Sequence, residues 1–336
     1  MARFGRTGPQ LRPQPGSHPR RLTSGVPGRT YEDHFRAEIG SIAVSQLDED
    51  SLILIPTMDY GPDDPMEDDT DAQLFVSHTT DTTRVWKTTE VYEQIGEAHP
   101  RIISFIHRDP FTGFPILTKP SGPPLVSFLA EHRLEMYSDS SGPGTSSRVL
   151  PKFRPLIYQW ALHLISGLSF VHSHSVVFGD LYTEVCWLSS PSLSLSLVGF
   201  LDAGYRSNAR GVLYNGGSVR DEPFHPLHIP RHDSVVPAPK TDLFLWGCLV
   251  YELMTSRWPG EGEGRAPAAI RQMITGQQWP ELQTEYLGDI VRKCWRYEYE
   301  SAASLEGELI VFLNGEGWQV DADGLIGFQA ERLFIK

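Results

Sequence analysis

The sequence predicts an α+β fold, with the strands gathered in the first third of the chain and the helices in the rest. Three observations carry this. Short apolar runs bounded by turn residues lie at residues 39–57, 105–107 and 114–117. Apolar residues recur at spacings of three and four over residues 85–95 and 157–171. A further helix of the same kind begins at Thr241 and runs to Thr255.

Composition bounds what such a fold can do. With 336 residues, 40% of them hydrophobic and 11% aromatic, the chain can bury one large core or two packed lobes. The net charge is −13 and the isoelectric point about 5.4, which argues against binding nucleic acid through its phosphates. Residues 1–30 hold six of the 29 basic residues and no acid, leaving 23 basic against 42 acidic residues, or −19, for the remainder. No apolar run reaches the ~18–20 residues of a membrane helix, and the head lacks the continuous apolar core of a secretory signal. Cys186, Cys248 and Cys294 are far apart within apolar segments and read as buried free thiols. The expectation is an intracellular protein, cytoplasmic or nuclear, that binds neither membrane nor nucleic acid.

Taken in order, residues 1–31 are rich in Pro, Gly and Arg without periodicity and read as a disordered tail, the prolines arguing against an amphipathic organellar presequence. Residues 39–57 form a hairpin: Ile42 and Val44 alternate with polar residues, Leu47-Asp48-Glu49-Asp50 turns, and Leu52 to Ile55 returns to Pro56. Asp59 to Asp71, dense in acids and prolines, reads as a solvated loop, and Leu74-Phe75-Val76 as a short strand. Val85, Thr88 or Thr89, Tyr92 and Ile95 then mark one face of a helix that stops at Gly96. Strands follow at Phe105-Ile106-His107 and Phe114 to Leu117, a helix starts at Leu125, and the Ser/Gly-rich residues 138–148 form a surface loop. Ile157, Trp160, Ala161, Leu164, Leu168 and Val171 face one way along a long helix, and Tyr286 to Trp295 is another.

Between these helices, Val171 to Leu181 carries His-Ser-His-Ser, two valines and a Phe178-Gly179-Asp180-Leu181 corner, followed by two apolar strands and Gly199-Phe200-Leu201-Asp202-Ala203-Gly204. This order resembles the catalytic core of the protein-kinase-like superfamily, where H-R-D-L-x-x-x-N is followed by two short strands and D-F-G. The run Thr241-Asp242 through Gly247 and Tyr251-Glu252 to Thr255 resembles the same family's S/T-D-x-W/F-x-x-G-x-x-x-Y-E-x-x-T helix. His99-Pro100-Arg101-Ile102 and Lys293-Cys294-Trp295 resemble the H-P-x-I corner and K-C-W helix of the same family, and Tyr299 to Ala302 and Gly317 to Val320 are similar to a divergent, fungal-type branch of it. The resemblance covers residues 85–330 more fully than 39–84. It implies a two-lobed kinase-like fold: a tail (1–31), a small β-rich N-lobe (32–117), a hinge (118–124) and a large mainly helical C-lobe with a C-terminal extension (125–336).

Carried over position by position, the resemblance places Asp180 where the general base stands and Thr118, Lys119 and Pro120 in the hinge that would hold a nucleotide. Phe178 replaces a histidine of an apolar stack that joins the lobes, and Gly179 replaces an arginine that grips a phosphorylated loop. Val185 stands where the second Mg²⁺ ligand belongs. The glycine-rich phosphate loop and the strand lysine are missing; Lys87 with Glu90 is a displaced substitute or an exposed helix face. Two registers are open for D-F-G: strand spacing selects Gly199-Phe200-Leu201, while a loop about four residues longer selects Asp202-Ala203-Gly204 and keeps Asp202 as a metal ligand. Asp242 is expected to be a buried carboxylate bonded to the backbone of the Phe178-Gly179 corner. His225, His228 and His232 lie close enough in sequence for zinc, but without cysteine they read as solvated loop residues.

The resemblance therefore implies a pseudokinase that works through protein interaction or allostery, as a scaffold or as an allosteric partner of an active kinase or another enzyme. The competing reading is an atypical ATP-dependent protein kinase that transfers phosphate to Ser, Thr or Tyr with ATP and Mg²⁺, and a third is a small-molecule phosphotransferase. Trp258 and Trp279, each beside a Pro, are candidates for an exposed interaction surface or for core packing.

Overall fold

The run Ser51-Leu52-Ile53-Leu54-Ile55-Pro56 contains no charge, so as a strand it must be covered on both faces. In the computed structural model it is the middle of a five-stranded antiparallel sheet, and all six residues are buried. Described are residues 22–23, 30–31, 36–39, 42–56, 68–138, 147–216, 238–260, 269, 272–273 and 276–334, with the backbone alone for 22–23, 30–31, 36–38 and 68–79. The expected tail, most of the acidic loop, the 139–146 loop and the three histidines of 217–237 lie outside them.

A small pair, β1 (Leu22–Thr23) and β2 (Thr30–Tyr31), precedes the sheet. The sheet's strands are β3 (Arg36–Ile39), β4 (Ile42–Gln46), β5 (Ser51–Pro56), β6 (Phe105–Arg108) and β7 (Pro115–Thr118), in the order β3-β4-β5-β7-β6. The β4–β5 hairpin pairs Val44 with Leu54, and its turn closes through the Leu47 N–H to the Ser51 carbonyl and the Asp50 N–H to the Asp48 carboxylate. The expected hairpin is thus present.

Helix α1 (Asp68–Ile95) packs across β5 and β7. Its start corrects two expectations. Asp68 to Asp71 belong to the helix and not to the loop before it, and Leu74-Phe75-Val76 is helical and not a strand. Acids in a first turn are favoured by the helix dipole, and Ala72, Gln73 and Leu74 are strong helix formers, so a short apolar triplet was a weak strand signal. The far end is as expected: Val85, Thr88, Thr89, Tyr92 and Ile95 are buried, and Gly96 closes the helix at φ +64°.

The remainder is mainly helical: α2 (Leu125–Met136), α3 (Arg154–Ser173), α4 (Pro239–Thr255), α5 (Gly288–Trp295) and α6 (Ala302–Gly315). Between α3 and α4 lie the hairpins β8 (Cys186–Ser189) with β9 (Ser194–Leu197) and β10 (Tyr205–Arg206) with β11 (Leu213–Tyr214). The protein is a mixed α+β structure with small antiparallel sheets. Helix α4 is buried on almost every side, as a helix through the middle of a core must be. Gly247 lets α5 approach it, since a Cβ there would stand 2.8 Å from Cys294 Cβ. All three cysteines are buried free thiols, and burial pushes their pKa values up, leaving them unreactive.

Trp258 and Trp279 do not form an exposed surface. Trp258 is 1% exposed, with its ring 4.7 Å from Tyr182, and Trp279 stacks on Trp295 at 4.7 Å beside Phe244. Both indoles pack against other aromatic rings, where large apolar surfaces gain most from burial.

The C-terminal hairpin of β12 (Val320–Asp321) and β13 (Gly324–Leu325) ties the halves together. Asp323 at its tip takes both Nε and Nη2 of Arg101 at 2.7 Å, and Arg101 sits in the segment between α1 and β6. Arg101 Nη1 also donates to Ser194 Oγ, and Gln159 of α3 bonds the Asp323 carbonyl and the Leu325 N–H. Beyond it, Phe334 packs among Phe128, His132 and Phe153. Burial raises the Asp323 pKa, but the hydrogen bonds and charge of Arg101 outweigh it and bring it to about 2. Because the folded value is depressed, the pair's stabilisation is complete above the ordinary carboxyl range and is lost as pH falls through about 2. Asp323→Asn is therefore expected to lower stability at neutral pH by about 2 kcal/mol. The gap to wild type should narrow in urea melts taken at progressively lower pH below the ordinary carboxyl range; a gap independent of pH would refute the assignment.

Candidate functional site

The corner after α3 is built on one carboxylate. Asp242, in the first turn of α4, has no exposure, and it accepts the backbone N–H of Phe178 at 2.7 Å and of Gly179 at 2.8 Å. His172 Nε2 lies 2.7 Å from the same carboxylate. The expected role of Asp242 is thus met in each bond. Gly179 has φ +90°, and a Cβ there would fall 2.1 Å from the Asp202 carbonyl oxygen, so only glycine allows residues 179 and 202 to touch. Val177 and Gly204 close the contact with a pair of backbone hydrogen bonds.

From this corner an aromatic column rises. Phe178 meets Phe200 at 5.8 Å between ring centroids, Phe200 meets Tyr92 of α1 edge-on at 4.7 Å, and Tyr92 stacks on Phe105 of β6 at 5.5 Å. Phe178 and Phe200 are buried, and the Tyr92 hydroxyl accepts the N–H of Gly199 at 3.2 Å. The expectation that Phe178 extends an apolar stack holds. The column joins the corner, the segment after β9, α1 and the sheet.

The candidate residues fall around it. Asp180 is buried at 5% exposure, directly after the corner, and Val185 is buried below it. Gly199 directly precedes the column residue Phe200, and a Cβ on it would meet Leu54 Cδ1 of β5 at 3.4 Å. Asp202 lies three residues on and turns to α1, where Arg84 donates to its carboxylate through Nε at 3.1 Å and Nη2 at 2.6 Å. Arg84 Nη1 reaches Asp81 at 2.8 Å, so one guanidinium serves two carboxylates, each about 4% exposed. Burial opposes the charge of Arg84, but the two carboxylates prevail and raise its pKa.

Lys87 and Glu90 do not pair with each other. Lys87 Nζ lies 4.8 Å above the Tyr214 ring. Glu90 accepts the hydroxyls of Tyr205, at 3.1 Å, and Ser207. Gln94 accepts the Asn208 N–H at 3.0 Å. Arg84, Lys87, Glu90 and Gln94, three and four residues apart, form a polar stripe that grips residues 202–214. The spacing of that stripe was readable in sequence; its partners, more than a hundred residues away, were not.

Thr118, Lys119 and Pro120 connect β7 to the helical half. The Thr118 N–H is bonded to the Ser104 carbonyl and the Lys119 N–H to the Asp50 carbonyl, and Pro120 has none. Lys119 Nζ donates to Gln46 Oε1 at 2.9 Å. Ile39 pairs with Ile42, so two residues, Gly40 and Ser41, separate the first two strands of the five-stranded sheet, β3 and β4. Among the described residues no group of three or more His, Cys, Asp or Glu is arranged to hold a metal ion, and no helix is long and apolar enough to cross a membrane. Compared with models of known protein families and with curated proteins, the chain matches none of them.

Two substitutions test this geometry. Asp242→Ala leaves two buried N–H groups without their acceptor and is expected to destabilise the protein by more than about 2 kcal/mol in urea denaturation; an unchanged midpoint would show that the corner does not depend on it. Arg84→Met removes the guanidinium between Asp81 and Asp202 and is expected to cost about 3 kcal/mol. Arg84→Lys should recover only part of this, because an ammonium cannot reproduce the two-pronged contact.

Proposed function

We propose that the chain is a two-lobed, protein-kinase-like domain that has lost phosphoryl transfer and acts by binding other proteins, as a pseudokinase. The reading is supported by several placements together: a five-stranded sheet with one long helix, a connector at residues 118–124, the Asp242-bonded corner and the aromatic column. The observation that carries the loss of catalysis is what stands where metal and phosphate charge would be met. Gly199 has no side chain to offer, and Asp202, three residues on, is held by Arg84. In that frame the strand-spacing register is favoured, because Phe200 occupies the column and Gly199 the metal-ligand position.

ATP with Mg²⁺ does not fit these residues. Two of the three connector positions have their N–H groups bonded elsewhere and the third is proline, so none of the three offers a backbone donor to an adenine. No basic side chain lies on β5, and Val185 offers no ligand oxygen. Phosphoryl transfer depends on positioning and on neutralising charge, and Asp180 by itself supplies neither. Three buried thiols suit a reducing compartment, so the cytoplasm or nucleus is the proposed location.

Thermal melting with and without millimolar ATP and Mg²⁺ tests the reading, since a ligand stabilises a fold only above its Kd. No shift is expected. A saturable, Mg²⁺-dependent rise at micromolar ATP would favour the active-kinase reading instead. Asp180→Asn is the companion variant: it should complement the wild-type gene in the native host while remaining folded, and failure to do so would restore a catalytic role.

A further inference from the structure

A concave site lies where α1 ends and the chain turns into β6. It encloses about 380 Å³, within the range of about 300–1,000 Å³ typical of small-molecule sites. Ile95, Ile102 and Ile103 form its apolar floor, and the stacked pair Tyr92 and Phe105 supplies the aromatic wall. Ala98 and Ser104 stand exposed at the mouth.

The charge of the site is one-sided. Glu93 and Glu97 are its lining acids, and no Lys or Arg lines it. Glu93 is bonded at both oxygens to Arg108, which fixes its position but leaves further acceptor directions on each oxygen. Glu97 is 73% exposed, with His174 Nε2 at 3.7 Å. His99 stacks on Phe170, and its pKa is lowered, by burial first and then by Arg101, so it is neutral at pH 7. With Glu93 already paired to Arg108, an anion entering here would meet the carboxylate of Glu97 and no lining Lys or Arg.

The geometry points to a binding site for a small organic cation with an apolar body, such as an aryl-alkyl amine. Its hydrocarbon part would cover the three isoleucines, and its ammonium group would lie between the aromatic wall and the acidic rim, where ring faces and carboxylates both attract a cation. Such a ligand would touch α1, the turn after it and β6 at once, and so brace the upper half of the aromatic column. The site is separate from the nucleotide question and stands whether or not phosphoryl transfer is lost.

The test uses the full chain and three probes with one apolar body: 3-phenylpropylamine, 3-phenylpropanol and 3-phenylpropionate, titrated by calorimetry at low salt. The amine is expected to bind saturably, about tenfold more tightly than the carboxylate. Glu97→Gln, at an exposed position, should weaken the amine by about two- to fivefold. Ala98→Trp, also exposed, fills the mouth and should abolish binding while leaving the melting temperature unchanged. If Ala98→Trp unfolds, Ser104→Trp serves the same purpose. Equal binding of amine and carboxylate, amine binding that survives a mouth-filling variant, or no saturation at millimolar amine would each overturn the assignment. The ATP titration on the same protein reports separately on nucleotide binding.

Discussion

The buried carboxylate of Asp242 is the constraint on which the rest depends. A charge with no exposure persists only when its hydrogen bonds are satisfied, and here two backbone N–H groups and one imidazole do so. Those bonds hold Phe178 and Gly179 in place on the surface of the central helix α4. Fixing Gly179 admits the Asp202 carbonyl beside it, and fixing Phe178 gives the aromatic column its base. One ionised side chain therefore sets the origin from which the segment after β9, α1 and the sheet are positioned.

Helix α1 is the part that reads this origin. Its apolar face contributes Tyr92 to the column and covers β5, while its polar stripe of Arg84, Lys87, Glu90 and Gln94 holds residues 202–214. Arg84 acts as a built-in cation between Asp81 and Asp202. A metal ion at Asp202 would have to displace a guanidinium that makes two hydrogen bonds to it in a desolvated site, where charge-assisted bonds are strongest. The same contact that steadies α1 thus occupies the carboxylate that could otherwise serve chemistry.

The far end of α1 is held by different means. The segment after it pairs with β9 through Ile103 and Leu197, and Arg101 binds Asp323 of the C-terminal hairpin. His163, which burial pushes down to about 3, stays neutral and accepts the Leu195 N–H beside this pair. The second half of α1 and the segment after it are consequently both referred to the helical half, and the sheet follows through Phe105 and β5.

What was legible in the sequence was local. Alternation marked the β4–β5 hairpin, three- and four-residue spacing marked α3, α4, α5 and the second half of α1, and the Thr241-Asp242 motif pointed to the carboxylate under the corner. The periodic signals lie within a few turns of chain, where backbone periodicity decides which side is apolar, whereas the role of Asp242 was what the family resemblance implied. The first half of α1 was missed because a Leu-Phe-Val triplet looks the same in a strand and in a helix face, and the two tryptophans stayed open between surface and core because an indole beside a proline suits either. The tertiary structure alone decided that Arg84 meets Asp202, that Glu90 turns to Tyr205 and Ser207, and that Asp323 reaches Arg101. Those partners are brought together by packing across more than a hundred residues, and a charged side chain carries no mark in the sequence of which distant partner the fold will place within its reach.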